Sequence, residues 1–517
     1  MAYYAIGIGG TGAKCVEALV HLSAAGLMPD LTGKELYVLF VDPGKSNGTL
    51  DRAELTLQLY TICNKLKLGS MDLFKTPILV ADPDVWSPFG QETKPKLEDF
   101  FTYNALQATT PRVAQLFDVL YSPEEKRTPL DEGFRGHPAI GAAILANTVH
   151  LGSGEPWKTF RDKIARDAKT GQPAKIILFG SMFGGTGASG LPTIARLIKQ
   201  ELTKSKIIEN YHICAVTMLP YFSFERKDDN EMRAQAENFL INTQAALKYY
   251  ARPNYLDVFD SMYVLGDHVL SPLGPPLKSG KDPKGGKDQR NEPHFIEMYA
   301  ALAAIDFFNA ETPKGVMMTA RKESRTHTWG DVPFIFDRRE MLAKLDQLAR
   351  FAFAYHCTYY PTLESIAKKR KGYRAPWYVE FFERSEKVEL SRVLSAELLK
   401  MRDYCRGFLF WAASVQATAK EVDMQLFNHN TFAATKNVDG KQTYELKEPH
   451  EFLVQEFSDL LLPREAEKPY ALSELWERMS DASVDDVQAR GVGRFINALY
   501  TACKSEKFSH SQTIEKE

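Results

Sequence analysis

Cysteine is scarce in this chain of 517 residues. The six, Cys15, Cys63, Cys214, Cys357, Cys405 and Cys503, are scattered, with no CxxC pair and no zinc-type spacing. That excludes a disulfide framework and points to free thiols in a reducing compartment. Charge of one sign is also lacking. Lys and Arg number 64 against 66 Asp and Glu, for a formal net charge of −2 at pH 7. No broad electrostatic footprint for nucleic acid or an anionic membrane results. Long hydrophobic runs are missing, since none approaches the roughly 20 residues of a membrane span. Internal repeats are missing as well. The chain enters an apolar strand at once, without a basic leader, so no signal peptide and a cytoplasmic location are expected. What remains is a chain with 44% hydrophobic residues, long enough for two or more domains and a sizeable core.

Glycine turns stand out against this background. Gly180-Ser181-Met182-Phe183-Gly184-Gly185-Thr186-Gly187-Ala188-Ser189-Gly190 follows an apolar run, Ile176 to Phe179, and precedes a helix-like segment, Leu191 to Leu202. Strand, glycine turn and helix is an arrangement that turns backbone N–H groups and a helix N-terminus toward a phosphate. Glycine is needed because a side chain would hold the backbone away from the anion. Thr186 adds a hydroxyl with little bulk. A tight turn with no ligand is the plainer reading of the same residues. A second such unit opens the chain. Strand Tyr3 to Ile8 runs into Gly7-Ile8-Gly9-Gly10-Thr11-Gly12 and a helix from Ala13 to about Ala25, and strand Leu36 to Val41 then ends at Asp42. This unit also satisfies G-x-G-x-x-G, which invites a dinucleotide reading, and Asp42 could hold a ribose hydroxyl in that reading or in the phosphate-turn one. A third turn, Gly133-Phe134-Arg135-Gly136-His137-Pro138-Ala139-Ile140-Gly141, enters a helix start at Ala142 to Asn147. Arg135 or His137 could bring positive charge to a phosphate there, or be plain surface residues.

The rest of the chain is organised around these turns. Residues 51–130 read as a mostly helical insertion, with a helical patch at Arg52 to Leu66 and proline-broken loops such as Asp82-Pro83-Asp84. A strand at His212 to Leu219, a helix from about Asn230 to Tyr250 and a strand at Met262 to Leu265 follow. Residues 268–293 are rich in Gly, Pro and Lys and read as a flexible loop with solvated lysines. His294 to Phe308 reads as a fully buried helix and Gly315 to Thr319 as a strand. Beyond Asp337 the pattern is helical almost throughout, at Asp337 to His356, Val388 to Ala417, Pro449 to Leu461, Leu472 to Met479 and Val492 to Lys504. Lys368-Lys369-Arg370-Lys371 is a basic cluster within that region, and Gln442 to Leu446 is a candidate strand. Residues 505–517 read as a disordered tail.

Three glycine turns in this order resemble those of the tubulin/FtsZ superfamily, in particular a divergent prokaryotic tubulin-like branch. Phe183-Gly184-Gly185-Thr186-Gly187-Ala188-Ser189 looks like the superfamily signature GGGTGTG, with Pro192 where FtsZ proteins carry a proline. Gly7 to Lys14 looks like GVGGGGGN, and Gly133 to Gly141 like GxGAGxxPxxG. Thr217-Met218-Leu219-Pro220-Tyr221-Phe222-Ser223-Phe224-Glu225 is similar to TKPFxFEG, and Asp260 to Leu265 to the strand that follows it. The resemblance implies an α/β fold, a doubly wound, mostly parallel sheet holding GTP or GDP with Mg²⁺ at the C-terminal ends of its strands, over residues 1–325. It implies that Gly9, Gly10, Thr11, Gly12, Gly136, His137, Gly184, Gly185, Thr186 and Gly187 approach the phosphates, and that Glu225 and Arg233 reach the ribose. Phe183 and Ser189 stand in place of signature glycines. Lys14 takes the place of an asparagine that touches guanine. The acidic motif NxDxxD, by which one subunit completes the site of the next, is reduced to Asp331 within Thr328 to Pro333, ahead of Asp337 and Glu340. Asp331 would orient the attacking water, or simply cap a turn before Pro333. The largely α-helical region 326–504 does not resemble the β-rich second domain of the family.

Three functions follow as expectations. The first is a GTP-binding protein that associates with itself head to tail into filaments or rings, with slow or assembly-dependent hydrolysis. The second is a non-hydrolysing, nucleotide-dependent scaffold or switch whose helical C-terminal region docks a membrane-remodelling or defence partner. The third is an NAD(P)-binding oxidoreductase resting on Gly7 to Gly12 and Asp42, which leaves the other two turns without a role.

Overall fold

The computed structural model describes residues 3–29, 35–44, 47–90, 95–130, 133–134, 136–148, 154–168, 173–207, 210–223, 236–252, 257–267, 271–272, 291–319, 338–369, 375–384, 388–419, 426–428, 431, 433–438, 441–447, 457, 460 and 472–504. Seven strands make one sheet: β1 (Tyr3–Ile8), β2 (Leu36–Val41), β3 (Ile78–Trp86), β4 (Ala174–Ser181), β5 (Tyr211–Met218), β6 (Ser261–Leu265) and β7 (Gly315–Thr319). Their order is β3-β2-β1-β4-β5-β6-β7, and every neighbouring pair is parallel. The strand order reverses direction between β1 and β4, which is the switch point where open α/β sheets leave a crevice. The doubly wound parallel sheet expected from the sequence is therefore present.

Strand alternation sorts the side chains to two faces. Tyr3, Ala5, Val38, Phe40, Ile177, Phe179 and Val216 enter one core. Tyr4, Ile6, Leu39, Ile176, Leu178 and Ala215 enter the other. Because both faces are covered, these strands read as unbroken apolar runs. The flanking helices are α1 (Gly9–Ala24), α2 (Gly48–Asn64), α3 (Pro138–Thr148), α4 (Gly185–Lys204), α5 (Ala236–Tyr250) and α6 (Phe295–Asn309), of which α3 lies in a separate cluster with Phe89 and Phe117. Helices α1, α2 and α6 pack on the first face, and α4 and α5 on the second.

The C-terminal region is mainly helical. Helix α7 (Arg338–Ala354) runs on through a π-helical turn, Tyr355–Tyr359, into Tyr360–Lys369. Helices α8 (Leu399–Thr418), α9 (Leu472–Ser480) and α10 (Val492–Ala502) follow. Phe351, Tyr355, Phe408, Trp411 and Phe495 of this region lie in the same continuous core as α1, α2 and α6. The expected boundary at 325/326 and the tail 505–517 lie outside the described residues, as do most of the loop 268–293 and of the helix expected at Pro449 to Leu461. Among the described residues no helix is long and apolar enough to cross a membrane. The six cysteines are free thiols, five of them buried.

Two expectations are corrected. The segment 51–130 is not simply a helical insertion, because it contributes β3, an edge strand of the sheet. Asp82, Pro83 and Asp84 break its apolar pattern, which an edge strand tolerates because one side of its backbone needs no sheet partner. Helix α1 starts at Gly9 rather than Ala13, and α4 at Gly185 rather than Leu191. In both cases the glycines wind into the first helical turn, where N–H groups have no partner inside the helix. The candidate strand at Gln442 to Leu446 is present, as one arm (Lys441–Leu446) of an antiparallel pair with Ala433–Val438.

Pro192 lies inside α4. It has no N–H to give to the carbonyl of Ala188, four residues earlier. That carbonyl instead accepts the Tyr250 hydroxyl at 2.9 Å, which ties α5 to α4.

Candidate functional site

The three glycine turns meet around Thr186, at the C-terminal ends of β1 and β4. Gly9 follows β1 directly and has φ +70°, in the left-handed region that favours glycine. A Cβ placed on it would lie 3.2 Å from the Cβ of Thr186. From the other side, a Cβ on Gly133 would lie 3.7 Å from the Thr186 hydroxyl oxygen. One on Gly185 would lie 2.9 Å from the Cβ of Phe134 and 3.1 Å from the Gly136 nitrogen. Behind the turns, a Cβ on Gly12 would sit 2.5 Å from the Phe179 carbonyl oxygen, and one on Gly187 2.5 Å from the Ser181 nitrogen. At Gly12, Gly185 and Gly187 neighbouring backbone thus occupies the space that a side chain would need, and the N-termini of α1 and α4 open side by side.

The two departures from the glycine signature have structural roles. Phe183 turns its ring into the core against Phe222, with centroids 5.3 Å apart, and only its backbone remains at the turn. Ser189 donates its hydroxyl to the Gly185 carbonyl at 2.7 Å. A Cβ on Gly141 would collide with that same hydroxyl, so α3 and α4 are in close contact there.

Lys14 lies one turn into α1 and is almost fully buried. It is ion-paired with Glu297 of α6 and donates to the Glu292 carbonyl at 3.3 Å. Glu297 also accepts the Tyr221 hydroxyl at 2.5 Å and the His294 backbone N–H at 2.9 Å. The Tyr221 hydroxyl in turn bonds Thr11 of the first turn. A second buried pair lies alongside, where Arg52 of α2 grips Glu17 of α1 at 2.9 Å and donates to the Asn291 carbonyl at 2.6 Å. Burial, and secondarily the Lys14 charge, hold His294 well below the usual histidine range, so its ring is neutral. The residue expected at the purine is therefore engaged in a charged network that supports the first turn.

Asp42 stands at the end of β2 as expected. It is buried and accepts the Gly44 N–H at 2.9 Å. Burial pushes its carboxyl up to about 7, against a smaller lowering from the Gly44 bond. The His137 ring faces the Glu125 carboxylate at 3.2 Å, and the His137 backbone N–H closes the third turn on the Phe134 carbonyl at 2.8 Å. Arg135, Glu225, Arg233 and Asp331 lie outside the described residues. Among the described residues no group of three His, Cys, Asp or Glu is placed to hold a metal ion.

Two residues of the site were not anticipated. Asn47 caps α2 by accepting the Thr49 N–H at 2.9 Å. Its amide nitrogen would lie 3.4 Å from a Cβ on Gly10. An asparagine just ahead of a helix start is a signal the sequence did carry. Asn242 of α5 donates to the carbonyls of Gly136 at 2.9 Å and Phe183 at 3.3 Å. No local pattern marks it. A surface cavity lined by Arg196, Lys199, Gln200, Thr203 and Lys204 lies on the C-terminal half of α4, away from the turn at Gly185, and takes no part in the site.

No family model matches the chain, and no curated protein matches it. Among solved structures, CetZ from Methanosaeta thermophila strain DSM 6194 is similar at 14% identity, with a TM-score of 0.24. The match covers 51% of this chain and spans 45% of that one.

Proposed function

We propose that the three glycine turns form the phosphate cradle of a guanine-nucleotide site, and that the protein is a tubulin/FtsZ-like GTP-binding protein. The observation that carries this reading is the meeting of all three turns on Thr186 at the sheet's switch point. A dinucleotide site needs only the first of them. The residues fit the group, because side chains are excluded at Gly9 and Gly185, two helix N-termini are adjacent, and a hydroxyl stands between them.

In this reading Gly9, Gly10, Thr11, Gly12, Gly136, His137, Gly184, Gly185, Thr186 and Gly187 hold the phosphates, and Asp42, Glu225 and Arg233 serve the ribose. Mg²⁺, held by phosphate oxygens and water, would supply charge neutralisation. Lys14 acts by fixing Glu297, Tyr221 and through them Thr11, rather than by reaching the purine directly. Asp331 orients water for a site on a neighbouring copy, so that head-to-tail assembly and slow turnover go together.

Calorimetry with GTP, ATP and NAD in the presence of Mg²⁺ tests the site. Binding of GTP alone supports the reading, preference for ATP overturns the purine assignment, and binding of NAD alone overturns the cradle. Turnover per subunit that rises with protein concentration supports assembly-dependent hydrolysis. A constant value over a wide range counts against it, and unchanged turnover in Asp331→Ala removes that residue from the mechanism.

A further inference from the structure

We infer that Asn242 is a positioning residue that locks two of the three glycine turns into one cradle. The inference rests on the nucleotide reading above and deepens it. The Asn242 side chain is half-buried on α5 and is the described side chain that bonds both turns at once, through the Gly136 carbonyl at 2.9 Å and the Phe183 carbonyl at 3.3 Å. Both partners are carbonyl oxygens, so the side-chain nitrogen, not the oxygen, must face them.

The consequence follows from peptide geometry. A trans peptide directs its C=O and N–H to opposite sides. Holding the Phe183 carbonyl toward α5 turns the Gly184 N–H away from α5, ahead of the first turn of α4. Gly184 is extended, with φ −87° and ψ 158°, and a glycine on one side of a peptide eases its rotation. Without Asn242 the peptide between Phe183 and Gly184 loses this hold and can more readily turn over to present a carbonyl oxygen where an anion needs a donor. The same amide holds Gly136, at φ +79°, so movement of the third turn is coupled to that of the turn at Gly180 to Gly190. Two neighbouring anchors fix α5 itself: the Tyr250 hydroxyl bond to Ala188 and the burial of Ala246 and Tyr250 in the second core. The donor is thus carried on a rigid element rather than on a loop.

The test compares wild-type protein with Asn242→Asp and Asn242→Ala, using GTP and guanosine as probes in calorimetry. The Asp variant is nearly isosteric and sets a carboxylate oxygen against two carbonyl oxygens. Both variants are expected to lose about tenfold or more in GTP affinity, with guanosine binding and melting temperature unchanged. Equal loss for GTP and guanosine indicates general damage to the fold and overturns the assignment, as does wild-type GTP affinity in Asn242→Asp. Absence of GTP binding in the wild-type protein overturns the nucleotide reading itself and is thereby distinguished from either result. Hydrogen exchange on the wild-type chain adds a test that needs no variant. GTP is expected to slow exchange around Gly136 and around Phe183 together, and protection of one without the other overturns the coupling.

Discussion

Lys14 and Glu297 form an ion pair in which the two side chains are 3% and 1% exposed. Removing one partner leaves the other charge buried, which costs about 3–5 kcal/mol, whereas replacing both with well-packed apolar groups is often neutral or better. Lys14→Met is therefore expected to lower stability by about that amount, and Lys14→Met with Glu297→Gln, which removes the charge but keeps an acceptor for Tyr221 or His294, to recover much of it. Urea unfolding of the two single variants and the double variant measures the coupling. Additive losses would show that the pair is not the unit described.

Asp42 gives the protein a pH dependence of known sign. Its folded value of about 7 stands above the ordinary 3.8, so between these values the folded chain keeps a proton that the unfolded chain loses. The contribution to stability is complete below about pH 4 and is lost as pH rises through 7. Its full size is on the order of 4 kcal/mol. Glu54 is raised to about 7 as well, mainly by partial burial, so the comparison must be made against Asp42→Asn rather than on wild-type protein alone. The variant's advantage in melting temperature is expected to grow from pH 4 to pH 8. An advantage that does not vary with pH would contradict the buried carboxyl.

Two glycines separate folding from binding. A Cβ on Gly187 would meet Ser181 backbone at 2.5 Å, so Gly187→Ala is expected to cost about 3 kcal/mol. At Gly10 the nearest atom is the Asn47 amide nitrogen, at an ordinary 3.4 Å. Gly10→Ala should melt like wild-type protein and yet bind GTP about tenfold more weakly, since the methyl stands between backbone and phosphate. Loss of stability in Gly10→Ala with binding intact would reverse that division of roles.

The hydroxyl of Tyr250 satisfies the carbonyl that Pro192 leaves open. Tyr250→Phe removes the donor and is expected to destabilise the fold by about 1–3 kcal/mol. In the double variant Pro192→Ala, Tyr250→Phe, the restored N–H of residue 192 can reach Ala188. Thermal unfolding should then show the double variant more stable than Tyr250→Phe alone. The opposite order would mean that Pro192 is held by packing.

The sequence made the cradle legible because glycine carries its own reason. Few other residues accept Gly9's φ or Gly185's crowding, and apolar strands flank each turn. The central strands were legible because burial on both faces leaves unbroken apolar runs. What escaped was set by contacts distant in sequence. Lys14 reads as a residue at the purine until α6 brings Glu297 to it, and Asn242 is one polar residue in a helix until the two turns arrive beside it. The strand at Ile78–Trp86 was hidden by an edge position that tolerates Asp82, Pro83 and Asp84. The helix starts were placed late because propensity counts glycine against a helix, although the first turn is where that penalty matters least.

Helix α1 begins at Gly9 and carries His21 near its other end, where the ring is fully buried, 3.1 Å from the Tyr404 hydroxyl and packed against Trp411 of α8. Its 16 residues make a strut about 24 Å long, with no break between the two ends. The sheet and the helical half are therefore joined by a push-rod rather than a tether. A displacement of its first turn would meet no hinge within the helix before the aromatic side chains of α8.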